Sequence, residues 1–215
     1  MTAWPRTPAE ALAVQDALRV RLRPGPGPAH PRSLAGLDVA YDGDRLAAAV
    51  VVLDADTLEV RDSAVVRGRP AFDYVPGLFA FREIPALLEA LDKLSEPPDV
   101  LVCDGHGLAH PRRFGLAAHL GVLTDLPSYG VGKTRLLGTW EPVGPRRGDS
   151  SALIDDGETV GAVLRTRAGV KPVFVSVGHR MDLATACALT LALTPRFRLP
   201  ETTRAADRAC RDALA

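Results

Sequence analysis

The run at residues 99–104, DVLVCD, constrains this chain more than any other feature. Its four central residues are apolar, so as a strand it has no face to turn to water. Such a strand belongs inside a sheet covered by helices on both sides, and it typically runs parallel to its neighbours. Its natural partner is the first strand-like run, at residues 33–41. Two further runs follow at 45–53 and 59–66. Asp42-Gly43-Asp44 and residues 54–57 suit the tight turns between them, so the three read as an antiparallel meander.

The remaining punctuation fits the same plan. Residues 78–94 carry a helical stripe of Phe81, Ile84, Leu88 and Leu91, but Pro85 is unsuited to a helix interior. The regular part is therefore expected to begin near Arg82, with Glu83 in its opening turn. Pro111 is expected to open a helix that runs to about His119 and stops at Gly121, and 127–131 reads as a short strand. A hairpin at 152–154 and 159–166, a strand at 172–177 and an apolar helix at 182–193 complete the series. The order predicts an α/β fold of ribonuclease H-like type, a mixed β-sheet flanked by helices. Thr7, Pro8 and Glu10 form a capping-box start for a first helix with Ala11, Val14, Leu18 and Leu22 on one face. The Pro- and Gly-rich residues 23–32 then make an extended connector. With 215 residues, 47% of them apolar, one domain over 1–215 is expected: helix and connector at 1–32, core at 33–207.

Charge and cysteines limit the partners. The 26 basic and 26 acidic residues cancel, so nucleic acid would have to be held by local clusters such as Arg112 with Arg113, Lys133 with Arg135, Arg146 with Arg147, and Arg196, Arg198 and Arg204. Cys103, Cys187 and Cys210 are too dispersed for a zinc spacing or a disulfide framework, which suits a reducing cytoplasm. There is no apolar run near the ~20 residues a membrane span needs, and no basic start followed by an apolar stretch. A soluble, cytoplasmic, monomeric protein is expected.

Three acids stand out. Asp38 lies within the strand-like LAGLDVAY, where an unpaired carboxylate is costly and calls for a cation. Asp104 ends the buried strand, so if the two strands are neighbours the carboxylates emerge together and repel. Glu83 opens the helix between them in sequence. Singly, each has an ordinary reading as a satisfied buried acid, a turn cap and a surface helix residue. Together, with Gly105, His106, Gly107 and His110 directly after Asp104, they read as a site for a hard cation, magnesium with manganese able to substitute, that hydrolyses phosphodiesters.

The chain also resembles the endonuclease V family. The resemblance runs through AGLDVAY, YVPGLFAFREIPALLEAL, VCDGHGLAHPRRFGLAAHLGV, YGVGKTRLLG, VGAVLRTRAGVKPVFVSVGHR and FRLPETTRAAD, nearly everything from Ser33 to about Asp207. It implies metal ligation by Asp38, Glu83 and Asp104, and a catalytic Lys133. It also places His110 and His179 near the scissile phosphate, His179 being ranked first because Gly178 leaves it an open approach. Tyr74 in YVPG corresponds to a wedge that enters the helix where the damaged nucleotide is turned out, although Asp73 stands where the family carries proline. The implied substrate is DNA containing deoxyinosine, and inosine RNA is an alternative. Hypoxanthine would enter a pocket near Gly77, Leu78, Gly105 and Gly115, with His110, Arg112 and Arg204 on phosphates. Asp182 is either a further acid of the site or a helix cap. Rival readings are a ribonuclease H-like nuclease selective for branched structures and a non-cleaving nucleic-acid binding protein.

Overall fold

A computed structural model describes residues 4–215. The elements are α1 (Pro8–Arg19), β1 (Ser33–Asp42), β2 (Arg45–Asp54), β3 (Val60–Gly68), α2 (Ala80–Leu91), β4 (Val100–Cys103), α3 (Leu116–Thr124), β5 (Ser128–Gly132), β6 (Ser150–Asp155), β7 (Glu158–Leu164), β8 (Val173–Val177), α4 (Leu183–Ala192) and α5 (Glu201–Leu214). The eight strands form one sheet in the order β3-β2-β1-β4-β5-β8-β7-β6. β4 is parallel to both β1 and β5, and the two wings are antiparallel. This is the mixed, helix-flanked sheet of the ribonuclease H-like plan.

At β2 both faces of the sheet are covered, which explains why that strand reads RLAAAVVVLD without alternation. Ala48, Val50 and Val52 meet α2 and α3 through Ile84, Leu87 and Leu120. Ala47, Ala49 and Val51 meet Ala206 and Cys210 of α5. On the α5 side, α4 covers Val100, Val102 and Val175 with Ala186 and, at its ends, Met181 and Leu193. β1 and α5 approach closely: a Cβ on Gly36 would lie 2.1 Å from the Thr202 backbone.

Three expectations need correction. First, α2 begins at Ala80, not near Arg82, and Pro85 lies within it. Proline has no N–H to offer the carbonyl four residues back, which is that of Phe81. The Trp4 indole N–H donates to that carbonyl at 2.9 Å instead, so the helix tolerates the proline because the amino-terminal segment supplies the missing donor. Second, the helix expected from Pro111 starts only at Leu116. Arg113 adopts φ 54° and pairs with Asp155 at 2.8 Å and Glu158 at 3.0 Å, keeping residues 111–115 in a turn. Gly121 does not stop α3; a Cβ there would meet Ser128 Oγ at 2.1 Å and His179 Cβ at 2.6 Å, so glycine answers close packing. Third, the series does not end with the apolar helix at 182–193: α5 follows it and packs on β1 and β2.

Candidate active site

β1 pairs with β4 from Leu34 opposite Val100 to Leu37 opposite Cys103, then runs on to Asp42 beside β2 alone. Asp38 and Asp104 each stand one residue beyond the last pair, at the same level. The Asp104 N–H still donates to the Leu37 carbonyl at 3.2 Å. The notch left where β1 outruns β4 is bounded by α2 on one face and α5 on the other. From α2, Glu83 is buried to 5% exposure, and its carboxylate accepts from the Tyr41 hydroxyl at 3.3 Å. Lys133, one residue past β5, donates to Asp104. The Arg198 guanidinium donates to the Lys133 carbonyl at 2.6 Å and to those of Lys171 and Pro172, so it fixes the lysine's backbone rather than a phosphate.

The electrostatics are those of crowded acids. Burial, and next the Asp104 charge, push the Asp38 carboxyl up to about 7. Burial, and next Asp38, push Glu83 to about 8. Burial works against the Lys133 charge, but the hydrogen bond to Asp104 together with the charges of Asp104, Asp38 and Asp207 outweighs it and raises the ammonium above the usual lysine range. A second cationic centre would relieve the acid repulsion, and a donor set made only of carboxylate oxygens suits a hard divalent ion. Among the described residues no three such side chains already close round one point; Lys133 and Tyr41 engage two of the acids. Asp207 of α5, which the sequence reading did not select, adds its charge to the same cluster, acting on both Asp38 and Lys133.

Beside the acids opens a cleft of about 370 Å³, lined by Tyr74, Gly77, Asp104, Gly105, His106 and Gly115, among others. That volume lies in the range of small-molecule sites. Tyr74 is 67% exposed and packs edge-on against Phe79 at 5.9 Å. Gly77 holds φ +80° at the turn where the Leu78 N–H donates to the Val75 carbonyl. Leu78, expected in the pocket, instead buries its side chain among Ala11, Phe72 and Phe81. His106, singled out in sequence only for following Asp104 and given no role of its own, lies against Gly132 and lines the cleft. A larger depression of about 560 Å³ near Arg32, Asp54 and Leu193 lies at the other end of β1, away from the acids.

Three expected phosphate or catalytic contacts, His179, Arg112 and Arg204, have their side chains engaged elsewhere, and a fourth, His110, stays at the cleft. His179 is 2% exposed; its Nδ1 accepts from the Arg23 N–H at 3.2 Å and its Nε2 meets Asp125 at 2.9 Å. Its carbonyl accepts from the Ser128 N–H, at the start of β5, the opposite end of that strand from Lys133. β8 runs antiparallel to β5, and that reversal carries His179 away. His110 lines the cleft, but its Nδ1 accepts from the Arg112 N–H, and burial pushes the ring down to about 4, so it is neutral near pH 7. Arg112 is tied to Asp16 of α1. Arg204 lies flat on Phe197, 3.6 Å from the ring centre, beside Glu201. Asp182 caps α4, accepting from the Thr185 N–H at 2.8 Å.

The Endonuclease V family profile matches residues 16–208. The chain belongs to the endonuclease V family. It is 58% identical over 216 residues to endonuclease V of Streptomyces avermitilis, covering 98% of this chain and 94% of that one. The crystal structure of the S. avermitilis endonuclease V superposes with a TM-score of 0.95 at 57% identity, covering 100% of this chain and 96% of that one. Endonuclease V of Ciona intestinalis, in complex with a 24mer DNA containing an inosine followed by a ribo-adenosine, superposes at 0.83 with 26% identity. That match covers 96% of this chain and 97% of the other. Membership of the endonuclease V family makes this chain a nuclease.

Proposed function

We propose that the protein is a DNA repair endonuclease that recognises deoxyinosine and hydrolyses the second phosphodiester 3′ to it, leaving a 3′-hydroxyl and a 5′-phosphate. The observation that carries this reading is the continuity of the site: Asp104 lines the same cleft as Tyr74, Gly77 and Gly105, so a base held there has its backbone beside the acids. The inosine-containing DNA of the Ciona complex supports the choice of base.

Asp38 and Asp104 would hold Mg²⁺ (or Mn²⁺), with Glu83 and Asp207 completing the negative cluster. When bound, the cation supplies charge to the phosphate oxygens and acidifies water for in-line attack. Lys133, kept cationic by Asp104, balances charge that builds on the phosphate. Tyr74 fills the stack vacated by the turned-out nucleotide. Gly77, Gly105 and Gly115 let backbone groups approach the base edge. Hypoxanthine has guanine's O6 acceptor without its 2-amino group, so a tight wall at that position rejects guanine, and a donor at O6 rejects adenine. The whole chain, 1–215, works as one soluble, cytoplasmic, monomeric unit.

The test is cleavage of single-stranded oligonucleotides with one inosine, with none, and of a branched duplex, in Mg²⁺ and in chelator. Cutting is expected only at inosine and only with metal. Asp104→Ala is expected to slow it roughly 10³-fold or more, about 4 kcal/mol of barrier. Equal cutting of the branched substrate, or full activity in chelator, would remove the reading. A second target, inosine in RNA, is favoured by the ribo-adenosine in the Ciona complex, and an inosine oligoribonucleotide in the same assay decides between the sugars.

A further inference from the structure

α1 lies outside the nuclease sheet, and the chemistry above makes no use of it. Yet the centre of its buried face is not apolar: Gln15 is 1% exposed. A carboxamide is costly to bury there unless its hydrogen bonds are made. Its Nε2 donates to the Phe114 carbonyl at 3.2 Å and reaches the Gly77 carbonyl at 3.4 Å, and these are its anchors, since its Oε1 is buried without a partner among the described residues.

Those carbonyls belong to the two walls of the cleft. Gly77 closes the loop that carries Tyr74, Phe114 directly precedes Gly115, and both glycines line the opening. Other residues of α1 and its C-terminal extension hold the same two segments. Ala11 packs with Phe72 and Leu78 under the Tyr74 loop. Asp16 holds Arg112, and Leu18 and Leu22 pack with Phe114. The helix is thus the common footing of both walls, and among the described residues Gln15 is the one side chain that hydrogen-bonds to both the Gly77 and the Phe114 carbonyls.

We propose that Gln15 is a positioning residue that sets the spacing between the Tyr74 loop and the Phe114–Gly115 wall, and through it the fit of the cleft to the turned-out base. The proposal rests on the cleft being the base pocket. It predicts an effect on substrate recognition that a merely packed helix would not have, because Asp38 sits on β1 and Asp104 at the end of β4, outside the two segments that Gln15 holds.

The test uses the full chain with Gln15→Met, which keeps the side chain's length and apolar packing and removes the donor. For an inosine-containing single strand, KM is expected to rise about tenfold, the equivalent of one or two lost hydrogen bonds. The single-turnover rate at saturating substrate should stay within about twofold of wild type, and the preference for inosine over guanosine should fall. Unchanged KM and preference, in a variant that folds while wild type cuts at inosine, would overturn the proposal. Hydrogen exchange on wild type is the second measurement, and it decides alone if the variant does not fold or if wild type ignores inosine, an outcome that sinks the functional reading instead. Amides of residues 75–79 and 113–115 are expected to open together with α1. Loops that exchange independently of the helix would overturn the tether.

Discussion

At the scale of single residues, the site consists of buried acids crowded together, and this gives a pH signature. In an unfolded chain the carboxyls of Asp38 and Glu83 ionise near pH 4; in the folded protein burial and mutual repulsion delay this to about 7 and about 8. The folded state therefore binds more protons between those limits, so these two groups make stability fall as pH rises from about 4 to about 8. Burial pushes His110 down to about 4 and His119 to about 3. They act in the opposite sense up to their unfolded pKa of about 6.5, and above that the carboxyls stand clear. Without metal, Tm is expected to drop by several degrees from pH 6.5 to 8. Mg²⁺ should restore it at pH 8, and Asp38→Asn should flatten the slope and remove the metal response. Calorimetry across that range checks this; an equal slope in wild type and variant would contradict it. Asp38, Glu83 and Asp104 were legible in the sequence because an acid inside or at the end of an apolar run is conspicuous. His179 and the arginine clusters misled because adjacency in sequence says nothing about where a long side chain ends. Arg112, Arg113 and Arg198 all terminate on carboxylates or carbonyls of other elements.

Among the elements, α2 matters most, because it carries Glu83 and contains Pro85. Trp4→Phe keeps an aromatic ring against Phe81 and His119 but deletes the N–H that the Phe81 carbonyl requires. The expected cost is about 1–3 kcal/mol for a buried acceptor left bare. Pro85→Ala, which returns the helix's own donor, should recover most of it, so the two changes should be non-additive in a denaturant-melt cycle. Simple additivity would show that the indole contributes packing alone. Strands were easier to read than helix ends for a physical reason. Strand limits are marked by turn residues in the sequence itself, such as Asp42-Gly43-Asp44. The start of α3 is set by Arg113 reaching Asp155 and Glu158 from a distant hairpin, and the start of α2 by Trp4.

For the whole molecule, the decisive contact is between β1 and α5. With α5 lying on its backbone, Gly36 has no room for a methyl group. Gly36→Ala should cost about 1–3 kcal/mol, lowering Tm by roughly 2–12 °C, and should reduce cleavage by shifting Asp207 relative to Asp38. Gly25→Ala, at a position with open space and no positive φ, is the control and should leave both unchanged. Equal melting temperatures for the two variants would refute the tight seat. The sequence reading missed α5 because its stripe of Thr202, Thr203, Ala206 and Cys210 is small and partly polar, and such a stripe looks like a core face only once the alanines of β2 are known to lie opposite.

The position of α5 also orders events during translation. Asp38, Glu83, Asp104 and Lys133 all leave the ribosome well before residue 201, and until α5 follows, Ala47, Ala49 and Val51 have no cover on that side. A chain that lacks α5 is therefore both adhesive along β2 and short of the Asp207 charge beside Asp38.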